Sequence, residues 1–144
     1  MPASLFARAA VAALALLAPA QDVRVVAAFV PQGNARLRGS LTLSKGRRDN
    51  ESRARVEVVN APPNAQLGWV IRKGLCGERG AELGPLAAYR PIQVRGDGTA
   101  ELSANLPIPL PSKDAYHVDV LEERGSDVVL ACGGLSEDSV KKDG

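Results

Sequence analysis

Polar and apolar residues alternate with a period of two along most of this chain, and that pattern restricts it to strands with one face against a core. From Asn34 to Ser44, Ala35, Leu37, Leu41 and Leu43 fall on one side and Arg36, Arg38, Ser40 and Thr42 on the other. Ala54, Val56 and Val58 alternate with Arg53, Arg55 and Glu57, and Ala100, Leu102, Ala104 and Leu106 with Thr99, Glu101, Ser103 and Asn105. Further strands are expected at Val23–Val30, Leu67–Lys73, Pro91–Arg95, Tyr116–Glu122 and Asp127–Cys132. The polar run from Lys45 to Glu51 has the residues of a hairpin loop. Turn residues also separate the strands at Pro31–Gly33, Ala61–Asn64, Arg95–Gly98 and Arg124–Ser126. Pro107, Pro109 and Pro111 remove alternate N–H donors, so that stretch reads as an extended crossover rather than a central strand. No window carries helical periodicity. About eight short strands in one domain predict an all-β, Greek-key β-sandwich or flattened barrel.

Residues 1–20 read as a signal peptide. Arg8 precedes an apolar run from Ala9 to Leu17, and Ala18-Pro-Ala20 has the form of a cleavage site. The run is too short to span a bilayer, and no other apolar stretch is long enough. The chain is therefore expected to be exported, to the periplasm or beyond, with its domain at 21–135 and a polar, disordered tail at 136–144. The whole chain has 18 basic and 16 acidic residues. Loss of Arg8 with the leader leaves a net charge of +1, which argues against nucleic acid as a partner. So does an aromatic content of only 3%, too low for base-stacking platforms. Two cysteines in an exported chain favour one disulfide.

Several short motifs fall in a consistent order. Gly68-Trp69 opens a strand, and Cys76 is followed by Gly80 and by Pro85-Leu86. Asp97-Gly98-Thr99-Ala100 begins another strand, and Ala131-Cys132-Gly133 lies near the end. In identity and spacing these resemble the glycine-aromatic, G-x-x-x-x-H-x-x-P-L, D-G-x-A and A-C-G segments of the copper/zinc superoxide dismutase family. The resemblance implies that family's fold, with a disulfide between Cys76 and Cys132. It also implies where metal ligands would stand, and there the chain departs from the pattern. The H-x-H pair is replaced by Val70 and Arg72, the bridging histidine by Glu82, and the last copper histidine by Leu121. The guiding arginine is replaced by Val129, and the segment Ala87–Gln93 after the P-L pair has no histidine. Copper redox cycling needs imidazole ligands, so no cofactor is expected.

The remaining candidates each carry two readings. His117 is the only histidine; as a displaced metal ligand it would be alone, and alternation with Tyr116, Val118 and Val120 predicts a solvated outward side chain. Trp69 and Ile71 share a face opposite Val70 and Arg72; the resemblance implies that the ligand positions face outward from the barrel, so Trp69 is expected as a core aromatic beside the disulfide. Arg72 and Glu82 form either an ion pair in place of the metal or a solvated cation and carboxylate. Arg36, Arg38, Arg53 and Arg55, with Lys45, Arg47 and Arg48 at the hairpin tip, form either an anion-binding face for an envelope polyanion or acidic protein, or an ordinary mixed-charge surface. No G-x-S-x-G, phosphate loop or zinc spacing is present. The expected function is a non-catalytic, exported superoxide dismutase-like binding or structural module, able to pair with a second copy through a sheet face. The alternative is a copper/zinc superoxide dismutase, or another metal-binding protein, with displaced ligands.

Overall fold

The computed structural model describes residues 22–111 and 114–140. The expected leader, and residues 141–144 of the expected tail, lie outside that range. Among the described residues nine strands follow one another: β1 (Asp22–Pro31), β2 (Arg38–Lys45), β3 (Ser52–Val59), β4 (Gln66–Lys73), β5 (Ile92–Gln93), β6 (Ala100–Leu106), β7 (Tyr116–Leu121), β8 (Val129–Gly134) and β9 (Ser136–Val140). The pairing order is β5-β4-β7-β8-β1-β2-β3-β6, antiparallel throughout. The end strands β5 and β6 lie against each other, so the path forms a nearly closed barrel of eight strands. Closure removes most of the exposed edges that a flat sheet would leave. Among the described residues no helix is long and apolar enough to cross a membrane.

The alternation in the sequence becomes burial. In β3, Ser52, Ala54, Val56 and Val58 are buried while Arg53, Arg55, Glu57 and Val59 are exposed. They meet Leu41 and Leu43 of β2, Val25, Ala27 and Phe29 of β1, and Ala100, Ala104 and Leu106 of β6. The one polar group in that row, Ser52, donates its hydroxyl to the Ile108 carbonyl at 2.8 Å, which satisfies it. The proline stretch is in no strand. The Asp97-Gly98 turn has a local cause. Asp97 accepts from the Thr99 amide at 3.0 Å and hydroxyl at 2.7 Å, and Gly98 adopts a φ of +80° that a side chain would resist. Those Thr99 hydrogen bonds hold the Asp97 carboxyl below its usual range.

Two expectations are corrected. The tail is ordered through Val140: β9 runs antiparallel to β1, with Val23 opposite Ser139 and Val26 opposite Ser136. The cause is topological. β8 pairs with β1 only at Val30 and Pro31, so the first half of β1 has a free edge that the polypeptide can continue along. Charge predicted the tail's solvation and was silent on its backbone, which has hydrogen bonds to make at that edge. The strand expected from Asn34 begins at Arg38, because Gln32 and Ala35 close a turn.

Candidate functional site

β4 and β7 lie side by side, with Gly68 opposite Leu121, Val70 opposite Asp119 and Arg72 opposite His117. β8 adds Cys132 opposite Asp119. Directly opposed residues share a face. Val70, Arg72, His117, Asp119, Leu121 and Cys132 therefore stand together, away from the face of Trp69, Ile71, Val118 and Val120. On most strands the outer face meets water. Here the disulfide loop covers it. Cys76 bonds Cys132, and the chain returns along β4 with the Lys73 amide donating to Ala81 and the Leu83 amide to Ile71. This return requires Gly80, where a Cβ would fall 1.7 Å from the Lys73 carbonyl oxygen. It also sets Glu82 opposite Arg72.

The charges meet at one point. Arg72 Nη2 is 3.6 Å from Glu82 Oε1, and Arg72 Nε is 3.4 Å from Asp119 Oδ2. Nη1 reaches the Gly80 carbonyl at 3.5 Å. The guanidinium thus lies between two carboxylates, with the Asp119 side chain 9% exposed and that of Glu82 38%. A cleft of about 250 Å³ opens above it, bordered by Arg79, Asp127, Leu121 and Val129. Of the expected degenerate metal positions, Arg72, Glu82 and Leu121 line this cleft, while Val70 is fully buried outside its lining. Between the two readings of Arg72 and Glu82, the ion pair is the one formed. Asp119 escaped the sequence reading. Its signal was an acid between two valines on an apolar strand, at a position needing a cation.

His117 contradicts its expectation. It is fully buried, because the disulfide loop roofs the outer face of β7. The Gly74 carbonyl can only accept, so His117 Nδ1 donates to it across 2.9 Å. Nε2 has no hydrogen-bond partner and faces Asp119 Oδ2 at 3.4 Å. Trp69 is a core residue as expected, but not beside the disulfide: the parity of β4 sends it to the opposite face. There its indole N–H donates to the Arg90 carbonyl at 2.7 Å, and its ring meets Tyr89 edge-on with centroids 4.9 Å apart. The Tyr89 hydroxyl donates to the Leu83 carbonyl, and burial pushes its pKa up to about 12.

The four arginines of the expected anion-binding face are all exposed but do not form one cluster. Arg53 and Arg55 pair with Ser44 and Thr42, whereas Arg38 pairs with Val59 at the other end of the hairpin and Arg36 precedes β2. Arg55 is tied to Glu57 at 2.9 Å and lies 3.9 Å from Glu101, and Lys45 is 3.2 Å from Asp49. Arg24, which the sequence pattern did not single out, is opposite Ser44 on β1 and shares a concavity of about 870 Å³ with Lys45, Arg53 and Arg55.

No known family model matches the sequence, and no curated protein matches it. The cleft is lined by the charged side chains of Arg72, Arg79, Glu82, Asp119 and Asp127 and by Ser126, while the His117 imidazole is buried under the disulfide loop.

Proposed function

We propose that this chain is an exported, non-catalytic binding or structural module of the superoxide dismutase-like kind, with its metal site lost. Arg72 between Glu82 and Asp119 is the observation that carries the reading. A guanidinium there supplies the positive charge that a cation would otherwise bring, and it uses the same carboxylates. Support for the family also comes from the Cys76–Cys132 bond between the loop after β4 and the last barrel strand. The partner on this reading is an acidic polymer or protein of the envelope, drawn to the Arg24–Arg53 concavity, where Ser44 separates the two cations.

The test is elemental analysis of the disulfide-bonded chain after dialysis against copper and zinc, with a superoxide dismutation assay. The module reading expects far less than one ion per chain and no activity.

The runner-up, a metal protein with displaced ligands, has one feature in its favour. His117, Asp119 and Cys132 each offer a ligand atom within 4.8 Å of the others. With Cys132 held in the disulfide, only two of those atoms are available.

A further inference from the structure

We infer that the Cys76–Cys132 disulfide masks a binding site for a zinc-class divalent cation. A dithiol reductant would open it, and Cys76, Cys132, His117 and Asp119 would be its ligands. This goes beyond the module reading, which concerns the oxidised chain.

His117 is held as a metal-ligating histidine is held. One ring nitrogen donates to a backbone carbonyl, which fixes the ring and leaves the other free. The free nitrogen, Nε2, is fully buried without a hydrogen-bond partner, and such a group calls for an explanation. It points at an almost buried carboxylate. Two ligands about 2.0–2.1 Å from a tetrahedral zinc stand about 3.4 Å apart. His117 Nε2 and Asp119 Oδ2 are 3.4 Å apart. Cys132, opposite Asp119 in the ladder, brings its sulfur within 4.8 Å of both. Cys76 is bonded to that sulfur, so it is at hand as the fourth ligand. Two cysteines, a histidine and a carboxylate make a donor set suited to zinc. Two thiolates and a carboxylate carry three negative charges. The divalent ion and the Arg72 guanidinium beside Asp119 balance them.

The redox step is ordinary thiol–disulfide exchange. Cys76 is exposed while Cys132 is buried, so attack falls on the Cys76 sulfur. One thiolate of the reductant bonds to it, the protein S–S bond breaks, and Cys132 leaves as a thiolate. The reductant's second thiolate then displaces Cys76 and closes its own disulfide. Two electrons pass to the protein sulfurs, and the reductant's two protons pass to solvent as both thiolates bind the ion. Oxidation reverses this and expels the ion.

The experiment uses the full chain with cobalt(II) as a spectroscopic stand-in for zinc, before and after reduction by a phosphine. Near-ultraviolet circular dichroism of Trp69 and Tyr89 reports the fold. The expected result is no thiolate-to-cobalt charge transfer in the oxidised chain, and a band saturating at one cobalt per folded reduced chain, bleached by zinc. Cys132→Ser and His117→Asn should each weaken cobalt binding by at least tenfold. Glu137→Gln, exposed on β9 and away from this cleft, should leave it unchanged. The inference is overturned by a folded reduced chain without the band, by full affinity in His117→Asn, or by a reduced chain that stays unfolded with cobalt present. One ion per chain in the oxidised form would instead sink the module reading.

Discussion

At the residue scale, Arg72 and Asp119 act as a unit. Removing Arg72 leaves an almost buried carboxylate without its cation, a loss of about 1–3 kcal/mol by the usual cost of an orphaned buried group. Arg72→Ala should lower the denaturation midpoint accordingly, and so should Asp119→Ala. The double variant should cost less than the two together, because the orphaned partner goes as well. Additive losses in the cycle would show that the two side chains do not interact. Glu82→Gln should cost under about 1 kcal/mol, since its carboxylate is partly solvated.

Tyr89 gives a second residue-scale prediction. An unfolded tyrosine ionises near pH 10, and the buried one only near 12. Between those values the unfolded chain has lost the proton that the folded chain keeps. The stabilisation is complete below pH 10 and is lost as pH rises through 12. Urea midpoints across this window should fall more steeply for the parent than for Tyr89→Phe. Parallel slopes would remove the assigned cause. Residue identity was legible for the buried faces, while for Arg72 with Glu82 the sequence left an ion pair and a solvated pair equally open. It failed for His117, because period two says which way a side chain points and not whether a loop covers that side.

At the scale of elements, the strands were legible because Val, Leu and Ala recur at every second position against arginines and hydroxyls. β9 was not, since Ser136–Val140 has no apolar rhythm and owes its place to the free half-edge of β1. Truncation after Leu135 should therefore speed amide hydrogen exchange in the Val23–Val26 stretch and leave β3 and β6 unchanged. Unaltered protection in β1 would show that β9 does not cover that edge.

The basic hairpin makes its own prediction. Arg24→Ser with Arg53→Ser should weaken heparin retention at low salt more than Arg36→Ser with Arg38→Ser, and added salt should screen both within about 10 Å at 0.1 M. Equal losses from the two pairs would mean diffuse charge rather than a concavity. Alternation alone put all four arginines outward; only the register of β2 on β3 separates them into two ends.

For the molecule as a whole, the disulfide bridges a sequence separation of 56 residues across the covered face. Closing a loop of that size stabilises by about 4 kcal/mol in the chain-entropy model. Reduction should lower the unfolding free energy by an amount of that order, and the eight-stranded core is what must then keep the chain folded. The proposed loss of a metal site concerns the whole barrel, because strands β4, β7 and β8 and the loop at Glu82 all contribute to one cleft. Its measurement is the metal content of the oxidised chain after exposure to copper and zinc. With Arg72 between Glu82 and Asp119, the content should stay far below one ion per chain. About one tightly held ion per oxidised chain, lost on His117→Ala, would contradict it.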